Sequence, residues 1–360
     1  MELIVDAQNA LGECILWCER SRRLWWTDIL GRKLWCNSPS AAATRQWDMP
    51  ERLASLALTE HVDRLLLGLE SRLAWFDLDS HAVETIVKVE PDVPDTRVND
   101  GRCDRQGRFV FGTMNEAVGR APIGQFYRLG HDLQLAHLPL APVAIAKSIC
   151  FSRDGRTMYF CDSLLATIRC RSYGKRIGNE RDFARLLPAG PVPDGSVIDA
   201  NDHLWNAAWG ASRIVRSAPD GSIDCIIAMP VSQPTCPAFG GAARDPLYIS
   251  SAYIDLLVPG RYAGGVFGTL IHHTVGLPEV RFRAATNRSA YTSPSPERNS
   301  HARPSLPFRP RRQSRYRPRS GAARAGRHHS QDQRHRHLRL RSPSVPRQSA
   351  WHERRRHHGP

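Results

Sequence analysis

Two carboxylates, an amide, a guanidinium and an ammonium fall at one recurring place in a repeated sequence pattern. Gly12-Glu13-Cys14 precedes the first copy, Arg97-Val98-Asn99-Asp100-Gly101 the third, Ala146-Lys147-Ser148 the fourth and Pro193-Asp194-Gly195-Ser196 the fifth. If the copies are arranged about an axis, equal position in the repeat brings Glu13, Asn99, Lys147 and Asp194 toward it. Two carboxylates among amide and carbonyl oxygens form a hard-oxygen site suited to Ca²⁺, Mg²⁺ or Mn²⁺, with Zn²⁺ also open. The competing reading is that Asp, Asn and Gly at such points are turn formers. That reading is preferred for Asp154, Asp202 and Asp220 in hairpin sequences, and stands level with the functional one for Glu13 and Asp194.

The elements that must position these residues are short strands. An apolar run, a polar turn and a second apolar run recur six times, the second run beginning at Leu24, Leu65, Phe109, Met158, Leu204 and Leu247, a spacing of 41 to 49 residues. A third short run follows several copies, as at Lys33-Leu34-Trp35 and Arg213-Ile214-Val215-Arg216. One small sheet cannot bury both faces, so units at this spacing must stack, and radial stacking of six closes a ring. The expected fold is all-β, a six-bladed β-propeller. Arg153-Asp154-Gly155-Arg156 and Pro219-Asp220-Gly221-Ser222 supply glycine where hairpins need positive φ. A two-sheet sandwich would show even strand spacing without the longer period. The Trp residues at 17, 25, 26, 35, 205 and 209 lie in or near strands, and blade packing is their default role.

Charge divides the chain. Residues 287–360 hold 19 Arg, no Lys and three acids, a net of +16 against +15 for the whole, which leaves residues 1–286 close to neutral. The expected organisation is therefore a propeller domain over 1–286 and an Arg/Pro/His-rich tail over 287–360 whose apolar content is too low to order it. The tail reads either as a polybasic arm for nucleic acid or acidic lipid or as out-of-frame translation of GC-rich coding sequence. Arginine without lysine favours the second. The near-neutral propeller gives no electrostatic case for a nucleic acid or membrane partner. Neither a basic n-region nor a membrane-length apolar run is present, and a cytoplasmic location is expected. The nine cysteines form no CxxC pair and suit buried thiols.

At these same residues the chain resembles the regucalcin and gluconolactonase family of sugar lactonases, and within it the bacterial L-arabinolactonase type. The carriers run from about residue 5 to about residue 282. They include Leu11-Gly12-Glu13-Cys14, Arg97-Val98-Asn99-Asp100-Gly101-Arg102, Phe111-Gly112-Thr113-Met114, Ser148-Ile149-Cys150-Phe151-Ser152, Pro193-Asp194-Gly195, Ala238-Phe239-Gly240-Gly241 and Gly276-Leu277-Pro278-Glu279. The resemblance implies a six-bladed propeller that hydrolyses a sugar lactone, such as L-arabinolactone or D-gluconolactone, to the aldonic acid with a divalent cation. It places Glu13 and Asp194 on metal-ligand positions and makes Asp194 the general base. Arg97 and Asn99 fall on positions that hold the substrate's hydroxyls and carbonyl side, and Glu116 lies beside another substrate-contacting acid. In the implied mechanism the cation polarises the lactone carbonyl while Asp194 draws a proton from the attacking water.

One position departs from the family. Where the family has an asparagine ligand, this chain has Lys147. A charged ammonium has three donors and no lone pair, so it repels a cation instead of ligating one. Between Glu13 and Asp194 it would form two salt bridges in the metal's place, and the chain would then be an impaired lactonase-like propeller that binds sugar without turnover. The opposite reading lets the long stem snorkel to solvent while water fills the gap.

Overall fold

A computed structural model describes residues 1–174, 178–185 and 190–285. The disorder expected for 287–360 lies outside the described residues. In chain order, the N-terminal strand β1 (Glu2–Val5) is followed by one blade of β2 (Gly12–Cys18), β3 (Arg23–Asp28), β4 (Lys33–Ser38) and β5 (Ala43–Asp48), and a second of β6 (Leu53–Leu58), β7 (Arg64–Leu69), β8 (Arg72–Asp77) and β9 (Val83–Lys88). The third comprises β10 (Thr96–Cys103), β11 (Phe109–Asn115), β12 (Phe126–Leu129) and β13 (Leu135–His137), and the fourth β14 (Ala146–Phe151), β15 (Thr157–Asp162), β16 (Thr167–Ser172) and β17 (Glu180–Arg185). The fifth holds β18 (Val192–Ile198), β19 (Leu204–Trp209), β20 (Arg213–Ser217) and β21 (Ile223–Ala228). The sixth is built from β22 (Pro234–Phe239), β23 (Pro246–Ser251) and β24 (Val266–Leu270), with β1 as its outermost strand.

The six-bladed propeller read from the repeat is therefore the fold. Its first strands β2, β6, β10, β14, β18 and β22 pack one on the next around the axis. Alternation explains why those strands are apolar along their whole length. Successive side chains of a strand point to opposite faces, and here both faces are covered. In β2, Cys14, Leu16 and Cys18 pack toward blade two, while Ile15 and Trp17 pack toward blade six. The core is thus a ring of apolar layers between neighbouring blades. Such a layer is filled by large flat side chains, as where Trp26 stacks on Trp35 at 5.6 Å. Pro237 stays in β22 and pairs with Ile249; an innermost strand has a neighbour on one side only, where proline is tolerated.

Ring closure uses the N-terminus, with Leu3 opposite Phe267. A second tie lies at the far end of the channel from Glu13. There residues 276–283 cross from blade five, where Gly276 bridges Asp199, to blades two and three, where Phe282 N donates to Leu58 O at 2.8 Å and Arg283 N to Gly107 O at 2.9 Å.

Two aspartates in equivalent places fix how the first strands begin. Asp28, ending β3, accepts from the backbone N–H of Ala10, Leu11 and Gly31 at 3.0–3.1 Å. Asp162, ending β15, accepts from Ala144 N at 2.7 Å, Ile145 N at 3.3 Å and Leu164 N at 3.2 Å. Each buried carboxylate thus anchors the residues just before Glu13 or Lys147. Asp162→Ala leaves buried N–H groups without an acceptor and should cost about 3 kcal/mol in denaturant unfolding. An unchanged midpoint would show that these bonds do not hold the entry to β14.

Candidate functional site

All six first strands carry a register irregularity at their channel-mouth ends, and four of these flank candidate residues. The breaks lie between Glu13 and Leu16, Val98 and Asp100, Lys147 and Cys150, and Pro193 and Ser196; in β6 and β22 they follow Leu53 and Pro234. A bulge puts two residues opposite one and re-aims a side chain. Here it turns Glu13, Asn99, Lys147 and Asp194 out of the blade alternation and toward the axis. Cys14 (φ 48°) and Ser148 (φ 61°) adopt left-handed backbone beside Glu13 and Lys147, a strained state that the surrounding ladder must hold. Gly112 helps, because a Cβ there would come within 2.3 Å of Ala146 Cβ. Only glycine lets β14 approach β11 so closely.

The residues meet in one cavity of about 330 Å³ lined by Glu13, Arg97, Asn99, Glu116, Lys147 and Asp194. Its upper wall is mostly apolar, with Leu11, Leu30, Met114, Ile145, Leu164, Val192 and Ile254, and no histidine is in the lining. Trp209 also lines it, so blade packing is not the whole of that residue's role.

At the cavity floor Lys147 Nζ contacts Glu13 Oε1 and lies 2.7 Å from Asp194 Oδ1. Lys147 is only 7 % exposed, which rules out snorkelling. Its neighbours fix it: Asn99 Nδ2 donates to Ala146 O at 3.0 Å, Asp100 Oδ2 accepts from Ile149 N at 2.8 Å, and Ser148 Oγ donates to Asp194 O. Burial disfavours the ammonium, but the charges of Asp194, Glu13 and Asp100 outweigh it and hold Lys147 protonated above its ordinary range. Burial raises Glu13 against the pull of Lys147, and raises Asp194 well above the ordinary carboxylate value with help from the charge of Glu13.

One side of the floor continues into a ladder of ion pairs. Arg97 donates to Asn99 Oδ1 at 2.8 Å, to Val98 O at 2.9 Å and to Glu116 Oε1 at 3.0 Å. Arg52 then grips both oxygens of Glu116, at 2.7 and 2.6 Å, and both oxygens of Glu70, at 2.7 and 2.8 Å. The sequence reading missed Arg52 and Glu70. Both belong to blade two, whose first strand offers only Ala54-Ser55 at the equivalent place, so no repeat position marked them.

The divalent cation expected between Glu13 and Asp194 does not fit the donor set as it stands. The ammonium lies where the ion would have to sit and has no lone pair to offer. Among the described residues, no group of three or more His, Cys, Asp or Glu is disposed to hold a metal. Cys14 and Cys18 are free thiols like the other seven cysteines, and burial pushes the Cys14 thiol up to about 12. Among the described residues no helix is long and apolar enough to cross a membrane.

Residues 11–253 match the family model described as SMP-30/Gluconolactonase/LRE-like region. The chain is 47% identical over 287 residues to the L-arabinolactonase of Azospirillum brasilense, covering 78% of this chain and 94% of that protein. It is 28% identical to the regucalcin of Xenopus laevis, over 70% of this chain and 86% of the relative. A solved structure of regucalcin from Agrobacterium tumefaciens, described as a calcium-binding protein, superposes with a TM-score of 0.72 at 27% identity and covers 78% of this chain and 97% of that one.

The Arg52 ladder has a pH signature. Hydrogen bonds from Arg52 hold Glu70 below the ordinary range, and hydrogen bonds and charge from Arg52 and Arg97 hold Glu116 low against the opposing effect of burial. A carboxylate with a depressed folded-state pKa contributes stability above its unfolded value of about 4.3, and loses it as pH falls through the folded value. Between about pH 6 and pH 3 the native protein should therefore lose more unfolding free energy than Arg52→Met, whose glutamates titrate nearer the unfolded value. Parallel curves for the two proteins would show that Arg52 sets neither glutamate.

Proposed function

Because the chain belongs to the SMP-30/Gluconolactonase/LRE-like family, we propose that it is a sugar-lactone hydrolase that opens a five- or six-carbon aldonolactone, such as L-arabinolactone or D-gluconolactone, to the aldonic acid. The observation that carries this reading is the convergence of Arg97, Asn99, Glu116, Lys147 and Asp194 on one cavity, in a chain so similar to a protein named L-arabinolactonase. Arg97 and Asn99 hold the hydroxyls and the carbonyl side of the substrate. Glu116, pinned by Arg52 and Arg97, accepts from a sugar hydroxyl in this reading. Asp194 takes the proton of the attacking water, and its desolvation makes it a stronger base than an ordinary aspartate.

The divalent cation of the resemblance, whether Ca²⁺, Mn²⁺, Mg²⁺ or Zn²⁺, has no seat between Glu13 and Asp194 while Lys147 stands there, so the reading rests on the side chains alone. That same contact favours a second reading, a propeller that binds the lactone through Arg97 and Asn99 without opening it. In either case the partner is a small molecule, with no nucleic acid or membrane called for. Nine free cysteines, mostly buried, suit a reducing cytoplasm.

Acid release from L-arabino- and D-glucono-lactone by the purified chain tests the first reading. The rate should exceed spontaneous hydrolysis and fall by about 100-fold or more in Asp194→Asn, while Arg97→Ala should act mainly on KM. A folded protein that binds lactone but gives no rate above background selects the second reading.

A further inference from the structure

We infer that Lys147 is the resident cation of this site, and that the chain as it stands excludes divalent metal from the space between Glu13 and Asp194. The inference does not depend on turnover, and three observations support it. The ammonium touches both carboxylates, which are themselves buried. The stem is enclosed, Lys147 being 7 % exposed, and the backbone that carries it is held by the bulge, the left-handed Ser148 and the bond from Asn99 to the carbonyl of Ala146. The local charge is already balanced in part, since one ammonium faces Glu13 and Asp194 with Asp100 as a more distant contributor. A cation entering here would have to displace the ammonium while remaining beside it. Like charges at such a distance, away from water, repel strongly. With Glu13 and Asp194 taking two of its three donors, Lys147 keeps the third for an oxygen of whatever occupies the cavity.

Replacing the ammonium with a neutral oxygen donor should therefore create a metal site that the native chain lacks. Mn²⁺ binding would be followed by titration calorimetry on the full, chelator-treated chain, on Lys147→Asn and on Lys147→Asn/Glu13→Gln. Residues 287–360 contain eight histidines that can bind Mn²⁺ weakly, and the double variant measures that background. The expected result is one new equivalent in Lys147→Asn, at least about 100-fold tighter than any binding by the native chain and absent from the double variant. Circular dichroism establishes folding first. Should the Asn variant fail to fold, Lys147→Gln keeps a long stem with an amide at its end and gives the same reading. Native protein that binds one Mn²⁺ as tightly as the variant, with loss on Glu13→Gln, overturns the inference. So does a folded Lys147→Asn or Lys147→Gln that gains no site, because Lys147 would then not be what keeps the metal out.

Discussion

A four-stranded sheet that is apolar on both faces is soluble only between two others, and everything else in this molecule follows from that constraint. It forces the blades into a ring and makes Cys14 and Ile15, adjacent in sequence, serve two different layers of core. It also leaves the first strand of every blade with one edge unpaired and turned to the axis. Each of those strands carries a bulge against its one partner, and on its free edge the backbone polar groups meet no second strand. The chemistry of the site is therefore placed where the ladder is weakest in hydrogen bonds but most crowded by neighbours.

In that setting the Lys147 cluster is weak evidence for stability. Ions taken from water lose hydration that their mutual attraction repays only in good geometry. Three such groups lie on three different strands, β2, β14 and β18, so the cluster also couples blades one, four and five across the axis. The Arg97, Glu116, Arg52 and Glu70 ladder does the same between blades three and two. The floor of the cavity is thus held by charge between blades, whereas its walls are held by apolar packing within and between them.

Much of this was legible in the sequence. The period disclosed the fold, and equal position within the repeat disclosed the convergence of Glu13, Asn99, Lys147 and Asp194; the pair of salt bridges that Lys147 makes is one of the two readings raised by its departure from the family's asparagine. The bulges were not legible, because the left-handed positions are occupied by Cys14 and Ser148 and not by glycine. Arg52 and Glu70 escaped for a related reason: they reach the site through long side chains from outside the repeated position, and only the folded register brings them within reach. Asp28 and Asp162 carried a readable signal, since each ends the second apolar run of its copy, in Trp26-Thr27-Asp28 and Phe160-Cys161-Asp162. The closing strand β1 is too short to announce itself, being four residues with no polar alternation of its own.

That closing strand has a consequence for how the protein comes into being. Leu3 pairs with Phe267, so the two ends of the propeller must meet across nearly its whole length. A ribosome delivers the first blades long before the last, and domains tend to fold in the order they emerge. Blade one can form early, but its outer neighbour is the last sheet made, and the layer around Ile15, Trp17 and Trp26 stays open to water until then. Contacts of such wide sequence separation carry the loop-closure cost that slows folding. The growing chain therefore spends most of its synthesis as an unfinished arc with a tryptophan-rich face uncovered, so the nascent protein, more than the mature one, exposes apolar surface to water.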